Sequence, residues 1–549
     1  MAGHGSRPLR GLESTGQSSA GTAKFGRMFR WLEPAALPQS PMQEQELRET
    51  LTELAGLMVT SEFQNNIDKG EPPDAPITER EPEDESPDIP AGYTYLGQFV
   101  DHDITFDPAS SLQRTNDPDA LEDFRTPRLD LDCLYGRGPA DQPYLYEKPR
   151  RGKFILGRNV GVSGMERPDL QRTADNTALI GDKRNDENKI VSQIQALFLR
   201  FHNKVYDRIG PNFKPGEEDA HFNETQRIVR WCYQWIVLND FLPRVCDAGI
   251  VESLMPLPDR RGPRLQFYHP HEGTAYIPVE FSVAAYRFGH SMVRPSYSLN
   301  DRIIAGSSGG FAGKQFSRIP IFPFPLRDPA TDKPLKHQPT DSMAGFGEPL
   351  PDDWGIDWKF FFGTPNQQAP GQKQLPQPSY RIDAFLVDPL KDLPEFAGEP
   401  TPFGSLAFRN LQRGVSMGLP SGQSIARMMG VARDRILNDE QLWTVRNEGD
   451  EISPWADGAA FFAKARSQRW LTGAAPLWYY ILKEAEIMEN GRHLGEVGSR
   501  IVAETLIGLA WNDHYSYLFQ MPLWNPSEEL LGLPAKLDML ALAEWIDAP

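Results

Sequence analysis

The sequence predicts a mainly α-helical protein whose helices are joined by long, irregular loops. Apolar residues recur at steps of three and four through residues 188–209, which is the spacing of one buried helix face. Strand-like alternation is rare, and the prolines cluster in stretches such as EPPDAPITEREPEDESPDIPAG and TPNQQAPGQKQLPQPSY. A chain of 549 residues usually forms three or four domains, but this length equally allows one very large core around a cofactor.

Charge and composition exclude several classes of protein. The 57 Lys+Arg against 75 Asp+Glu give a net charge of −18, which argues against binding to nucleic acid or to anionic lipid. There is no uncharged apolar run of about 18 residues, so no membrane span is expected. The three cysteines lack CxxC spacing, which argues against a disulfide framework or a zinc site. No secretory signal is visible, so we expect a cytoplasmic protein or export by a signal-independent route.

The segment YTYLGQFVDHDITFDP is predicted to be helical over residues 94–106. Gln98, Asp101, His102 and Thr105 then form one stripe at i, i+3, i+4 and i+7. Such groups are costly to bury without partners, so the stripe alone favours a solvated polar face. A metal site built from the DHD triplet is a weaker alternative, because three adjacent residues of a helix cannot all point at one ion.

The segment RTPRLDLDCLYG carries alternating oxygen side chains. On an extended loop, Thr126, Asp130 and Asp132 would lie close together and suit a hard cation. Calcium takes six to eight oxygen ligands, backbone carbonyls included. The alternative is a surface turn.

The segment ALIGDKRNDENKIVSQI leads into the most regular helix. Asn185 or Asp186 is predicted to cap that helix, with acidic residues in its first turn. Arg184 and Glu187 precede or open the helix, and capping leaves their side chains free for a second role.

Two later segments place polar residues on helices. In EFSVAAYRFGHSMVRPSY, His290 continues a helical stripe that ends at Pro295, as either a core histidine or an axial ligand to a buried metal or haem. In LAFRNLQRGVSMGLP, Asn410 lies in one helical turn with Arg409 and Arg413. If buried, its amide could hold another side chain, whereas at the surface it would be merely polar.

These segments occur in an order that resembles a known family. The series is a GQxxDHD helix, a TPxLDLDxxYG loop, a GDxRxxEN segment, a YRFGHS helix and an NLQRGxxxGLP helix. It is similar to the animal-type haem peroxidases of the peroxidase–cyclooxygenase superfamily, in a bacterial-looking variant, over roughly residues 85–515. The resemblance implies one large, mainly helical haem peroxidase domain over residues 26–549, preceded by a mobile segment at residues 1–25.

The resemblance also implies roles for residues at the matching positions. His102 corresponds to the distal histidine, Arg184 to the distal arginine and Gln98 to the distal glutamine that orders water or halide. His290 corresponds to the proximal iron ligand, and Asn410 to the residue that accepts its second N–H. The remaining cofactor positions are Arg287 and Arg413, which pair with haem propionates, and Asp101 and Glu187, which form ester bonds to haem. The calcium positions are Asp103, Thr126, Arg128 (through its carbonyl), Asp130 and Asp132.

The sequence departs from the family at two places. Asn188 stands where some mammalian members have a methionine bonded to a haem vinyl group, so that sulfonium link is impossible here. In DDWGIDWKFFF, roughly where the fatty-acid oxygenases carry a radical-forming tyrosine, the chain has Trp358 and Phe360 to Phe362. This difference disfavours the oxygenase function.

The expected activity is therefore that of a haem peroxidase with b-type or ester-linked haem and bound calcium. It would reduce hydrogen peroxide and oxidise halide, thiocyanate or small phenols through a ferryl intermediate. The alternatives are a haem-dependent fatty-acid dioxygenase on the same fold and a non-catalytic scaffold that binds haem and calcium.

Overall fold

The computed structural model describes residues 25–59, 84–105, 125–148, 152–161, 166–257, 262–270, 274–301, 318–322, 342–365, 375–396, 402–446, 452–455, 458–468, 472–529 and 531–548. The predicted mobile segment, residues 1–25, lies outside these ranges except for Phe25. The two proline-rich stretches also lie partly outside them.

The described part of the chain is mainly helical, as the periodicity predicts. Its α-helices are α1 (Pro41–Leu57), α2 (Gly92–Ile104), α3 (Asp132–Tyr135), α4 (Lys189–Ile209), α5 (Glu218–Ile236), α6 (Leu242–Val245), α7 (Ala248–Leu254), α8 (Val279–Ser282), α9 (Leu406–Ser416), α10 (Gly422–Met429), α11 (Gly458–Gln468), α12 (Leu477–Glu489), α13 (Glu496–Asn512), α14 (Tyr517–Gln520) and α15 (Met539–Asp547). Two 3₁₀ helices matter for the candidate site, Lys183–Asp186 and Ala285–His290. None of the helices in the described ranges is long and apolar enough to cross a bilayer.

The described strands are short and join distant segments in pairs. They are β1 (Phe25–Gly26), β2 (Glu85–Pro90), β3 (Asn159–Val160), β4 (Arg167–Pro168), β5 (Ile277–Pro278), β6 (Ser296–Tyr297), β7 (Ile319–Pro320), β8 (Pro378–Tyr380), β9 (Thr444–Arg446) and β10 (Ile452–Pro454). β1 and β5 pair in parallel, and the pairs β2–β8, β3–β4, β6–β7 and β9–β10 are antiparallel. Strand β2 directly precedes α2 in the chain.

The core is built around α2, α4 and α5. The six apolar residues that predict the α4 face are all buried: Ile190, Ile194, Leu197, Phe198, Phe201 and Val205. Phe99 of α2 stacks on Phe198 of α4, with ring centroids 5.2 Å apart. Tyr233 of α5 meets both rings edge-on. Because offset or edge-on aromatic pairs have preferred geometries, these three rings fix α2 against α4.

The segment before His290 differs from the predicted continuous helix. The helix α8 ends at Ser282, Ala284 has the non-helical dihedrals φ −131° and ψ −71°, and the chain continues as a 3₁₀ helix. With three residues per turn, a 3₁₀ helix places residues i and i+3 on the same side. Arg287 and His290 therefore share one face.

Candidate functional site

His102 lies near the C-terminal end of α2 and is 5% exposed. Its Nδ1 is 2.7 Å from Oδ1 of Asn185, which belongs to the 3₁₀ helix Lys183–Asp186. Burial, together with the positive charge of Arg184, lowers the pKa of His102 to about 4. The imidazole is therefore neutral at pH 7, and the expectation of a solvated polar face is wrong for this residue.

The guanidinium of Arg184 links that 3₁₀ helix to the end of α2. Its Nη2 donates to the backbone oxygens of His102 (3.0 Å) and Thr105 (2.5 Å) and to the Asp182 carboxylate (2.8 Å). Arg125 donates to the same carboxylate at 2.7 Å. Burial alone would raise the pKa of Asp182, but the two arginines hold it well below its usual range. A permanently protonated Arg184 is thus fixed beside His102.

Gln98, one helical turn before His102, joins α2 to the start of α4. Its Nε2 donates to Oε1 of Glu187, and its Oε1 accepts from Nδ2 of Asn188 at 2.9 Å. The amide of Gln98 therefore has a fixed orientation, and Glu187 lies against the same side of α2.

Asn188 also caps α4. Its Oδ1 accepts from the backbone N–H of Ile190 (3.1 Å) and Val191 (2.8 Å), which are orphan donors of the first helical turn. The predicted cap at Asn185 or Asp186 is wrong, because these residues lie in the 3₁₀ helix before α4. The side chain of Asn185 bonds to His102 instead.

His290 is held by Asn410 of α9, which Arg287 also contacts. Nδ2 of Asn410 is 2.8 Å from Nδ1 of His290, and its Oδ1 accepts from Nη1 of Arg287 at 2.7 Å. A guanidinium can only donate, so the amide oxygen must face Arg287 and the amide nitrogen donates to His290. The structure therefore pairs the predicted residues with the opposite polarity, because Asn410 was expected to accept the N–H of His290.

The surroundings of His290 are positively charged. Burial, with the charge of Arg287, lowers the pKa of His290 to about 3. Burial also lowers the pKa of Arg287 to about 10, assisted by Arg413 and Arg409 and opposed by Asp101. By their accessible surface, Arg287 and His290 are half-buried. The charges of Arg413 and Arg409 act on Arg287, and three neighbouring guanidinium groups suit an anionic ligand.

The His102 and His290 sides of the molecule meet at α2. This helix packs against the 3₁₀ helix Ala285–His290. A Cβ on Gly97 would lie 3.2 Å from the Phe241 ring and 3.9 Å from Oη of Tyr286, so glycine permits this close approach. The Asp101 charge acts on both Tyr286 and Arg287. The predicted distal and proximal residues thus lie on elements that pack against each other.

The predicted calcium residues also lie together. Oγ1 of Thr126 donates to Asp130 and Asp132, at 3.1 Å in each case, and Asp103 accepts from the backbone N–H of Leu131 at 3.1 Å. Burial and mutual repulsion raise the pKa of Asp103 and of Asp132. Asp103 and Asp130 are 0% exposed, so the alternative of a surface turn is wrong.

The backbone around these carboxylates is a turn and not the predicted extended loop. Leu131 has a left-handed φ of 58°, and Asp132 opens α3. The guanidinium of Arg128 lies 3.8 Å from the Asp513 carboxylate. The backbone N–H of Arg128 donates to the backbone oxygen of Thr126 at 2.7 Å. Within the described ranges, no three His, Cys, Asp or Glu side chains are arranged around one point as metal ligands.

The stretch that lacks the oxygenase tyrosine is part of the core. Trp358 and Phe360 to Phe362 are all buried. Tyrosines from other segments pack on it, with Tyr93 5.2 Å from Phe362 and Tyr297 6.1 Å from Phe361 between ring centroids.

Three residues of the site were not predicted in these roles. Asn185 binds the His102 ring, Gln195 binds Asn185 at 2.8 Å, and Asp182 binds Arg184. The available signals were an acidic residue two positions before Arg184 and a glutamine beside the apolar face of α4. Neither signal identifies a partner, because the partners come from α2 and the 3₁₀ helix.

Part of the chain is similar in sequence to a known family. Residues 115–316 match the family model described as animal haem peroxidase, a range that contains Arg184 and His290. The chain is 26% identical over 264 residues to a peroxidase-like protein of Margaritifera margaritifera, covering 39% of this chain and 32% of that protein. It is also 26% identical over 264 residues to eosinophil peroxidase of Mus musculus, covering 47% and 30%. The chain thus spans about a third of the length of these curated relatives.

Solved structures show that the likeness in fold covers almost the whole chain. Peroxidase A from Dictyostelium discoideum superposes with a TM-score of 0.54 at 14% identity, covering 96% of this chain and 93% of that one. A fatty acid alpha-dioxygenase from Arabidopsis thaliana gives 0.53 at 13% identity, covering 96% and 76%. The helical fold is therefore shared with these structures, and residues 115–316 are similar in sequence to the animal haem peroxidase family.

Proposed function

We propose that this protein is a haem peroxidase that reduces hydrogen peroxide and oxidises halide, thiocyanate or small phenolic donors. The observation that carries the proposal is the environment of His102. Its buried imidazole is neutral, Asn185 holds its Nδ1, and the guanidinium of Arg184 is fixed beside it. The match of residues 115–316 to the animal haem peroxidase family supports haem as the cofactor.

These side chains suit the cleavage of a peroxide bond. One of the two peroxide oxygens must lose its proton. The other oxygen, which departs when the O–O bond breaks, must gain a proton. With Nδ1 protonated, Nε2 of His102 has a lone pair and can move this proton, a role that typically contributes about 10²–10⁴-fold. Arg184 stabilises the negative charge that develops on the departing oxygen. Gln98, held by Glu187 and Asn188, orients water or halide nearby.

The residues around His290 fit a haem group. When bound, haem supplies the redox-active iron that takes oxidising equivalents from peroxide and passes them to the donor. His290 is the proposed iron ligand and Asn410 its partner. Arg287 and Arg413 would provide positive charge for two propionates.

Haem binding requires one rearrangement of the hydrogen bonds seen here. A histidine that coordinates iron through Nε2 carries its proton on Nδ1 and donates it to an acceptor. Asn410 must then present its oxygen to His290, and Arg287 must release that oxygen. Pairing of Arg287 with a propionate accounts for this release.

The test is steady-state oxidation of guaiacol and of iodide by hydrogen peroxide, with the full chain loaded with haem. Peroxide-dependent turnover of either donor is the expected result. Oxygen uptake with linoleate, started by traces of peroxide and without donor turnover, would assign the dioxygenase function instead. Bound haem with neither activity would indicate a scaffold that binds haem and calcium.

Ester bonds from Asp101 and Glu187 to the haem are a separate prediction. Both carboxylates lie at the candidate site, where Glu187 accepts from Gln98 and the charge of Asp101 acts on Arg287. We expect acid–acetone extraction to leave haem on the protein after turnover with peroxide. The double variant Asp101→Asn, Glu187→Gln should release all of it. Complete extraction from the wild-type protein would refute the prediction.

Calcium binding by Asp103, Thr126, Arg128, Asp130 and Asp132 is a further prediction. A cation would relieve the repulsion that raises the pKa of Asp103 and of Asp132. A ligand at one hundred times its Kd stabilises the folded state by about 2.7 kcal/mol. We therefore expect EDTA to lower the midpoint of thermal unfolding and added calcium to restore it.

Asp103→Asn provides the matched variant for the calcium prediction. It keeps the size of the side chain and removes one of the three carboxyl groups. Its unfolding midpoint should respond little to EDTA or calcium. An unchanged midpoint for the wild-type protein in EDTA, with metal analysis showing no bound calcium beforehand, would rule out the site.

A further inference from the structure

A chain of buried amides connects His102 to a backbone carbonyl of α3. Nδ1 of His102 lies 2.7 Å from Oδ1 of Asn185, and Nδ2 of Asn185 donates to Oε1 of Gln195 at 2.8 Å. Nε2 of Gln195 donates to the backbone oxygen of Cys133 at 3.4 Å. Asn185 and Gln195 are both 0% exposed, so bulk water does not compete for these hydrogen bonds.

The last member of this chain determines the direction of every bond in it. A backbone carbonyl can only accept, so Gln195 turns its nitrogen to Cys133 and its oxygen to Asn185. Asn185 must then face Gln195 with its nitrogen, which leaves its oxygen for His102. Because an amide oxygen cannot donate, Nδ1 of His102 must carry the ring proton, and Nε2 keeps a lone pair.

The pair on the other side of the site shows that an asparagine alone does not decide the tautomer. Asn410 presents its nitrogen to His290 because Arg287, its second partner, can only donate. Asn185 presents its oxygen to His102 because Gln195, its second partner, accepts. The second partner of each amide therefore sets the proton position on the histidine.

We infer that Asn185 is a positioning residue for His102, oriented by Gln195. It selects the tautomer in which Nε2 is the base and holds the rotation of the ring. Arg184 does not do this, because it binds the backbone oxygen of His102 and not the ring. The catalytic part of the inference rests on the proposed peroxidase function, whereas the tautomer does not.

Three variants separate positioning from a merely structural role. Asn185→Leu removes the acceptor at similar size, and Asn185→Asp keeps an oxygen for the Nδ1 proton. Asn203→Leu is the control, since Asn203 is another buried amide of the α4 region and bonds only to the Phe154 backbone in the described contacts, at 2.7 and 2.8 Å.

Two measurements are made on the full chain. Nitrogen-15 NMR of histidine-labelled protein without haem gives the tautomer of His102, whose signals are identified by their loss in His102→Gln. Stopped-flow spectroscopy of the haem-loaded protein gives the second-order rate constant for hydrogen peroxide, per bound haem.

We expect Nδ1–H in the wild-type protein. In Asn185→Leu that tautomer should no longer dominate, and the rate constant should fall by part of the roughly 10²–10⁴-fold contribution of a positioned base. Asn185→Asp should restore the tautomer and most of the rate. Asn203→Leu should lower thermal stability and change neither readout.

Contrary results are equally distinct. Nε2–H in the wild-type protein overturns the inference, even if Asn185→Leu does not fold. So does an Asn185→Leu protein with the wild-type tautomer and rate. If the wild-type protein shows Nδ1–H but does not react with peroxide, the peroxidase proposal fails and the assignment of the tautomer stands.

Discussion

Replacing His102 with alanine is expected to lower the second-order rate constant for hydrogen peroxide by about 10²–10⁴-fold, the usual contribution of a positioned acid–base group. The variant removes the Nε2 lone pair that we propose moves the peroxide proton, but it leaves the Arg184 contacts with the α2 backbone in place. Stopped-flow spectroscopy at the Soret band measures the rate. An unchanged rate in His102→Ala would contradict the role of this residue.

A second buried histidine provides the matched control. The pKa of His202 is also lowered to about 4 by burial, and its ring bonds to Oη of Tyr135 (2.9 Å) and the oxygen of Gly152 (2.7 Å). His202→Gln should destabilise the fold, because two buried partners lose their bonds. Its rate constant per bound haem should equal that of the wild type.

The pH dependence of the same rate constant follows from the lowered pKa of His102. The neutral imidazole is the reactive form, and protonation removes its lone pair. The rate constant should therefore be level from neutral pH down to about pH 5, and below a pKa of about 4 it should fall about tenfold per pH unit. A fall centred near pH 6.5, the ordinary value for histidine, would mean that His102 is solvated during the reaction.

Replacing His290 with alanine is expected to cost the protein its haem. Loss of an outer-sphere partner of a metal ligand typically lowers metal affinity or activity about 10–100-fold, and loss of the ligand itself should cost more. After haem loading and gel filtration, the variant should show little Soret absorbance. Imidazole added to the His290→Ala protein should restore part of it, since it can occupy the place of the lost ring.

Asn410→Leu tests the same side of the site with a smaller expected effect. This variant keeps the His290 ring but removes the amide between it and Arg287. We expect haem to bind with a shifted reduction potential, because the imidazole of His290, the proposed iron ligand, loses its hydrogen bond to Asn410. A His290→Ala protein with the wild-type Soret position and haem content would show that another residue is the ligand.

The sequence predicts the elements of this site better than their connections. Steps of three and four predict α4, and all six residues of its apolar face are buried. The helix that carries His102 begins and ends within two residues of the prediction. The segment before His290 is less well predicted, since its apolar spacing does not distinguish a 3₁₀ helix from an α-helix.

Hydrogen-bond partners were the least predictable feature. The sequence predicts Asn185 or Asp186 as a helix cap, because asparagine and aspartate are common just before a helix. In the structure, Asn188 caps α4 instead. The partner of Asn185 is a ring on α2, 83 residues away in sequence. The polarity of the Asn410–His290 bond depends on Arg287, a third group that no local pattern identifies. Tertiary packing decides such contacts.

The measurement that tests the central claim most directly is the absorption spectrum of the haem-loaded full chain before and after one equivalent of hydrogen peroxide. If His290 holds the haem and His102 acts as the base, we expect a strong Soret band that shifts promptly on addition of peroxide. A Soret band that does not move would contradict the proposed function of His102 and Arg184. Folded protein that shows no Soret band despite supplied haem would contradict haem binding itself.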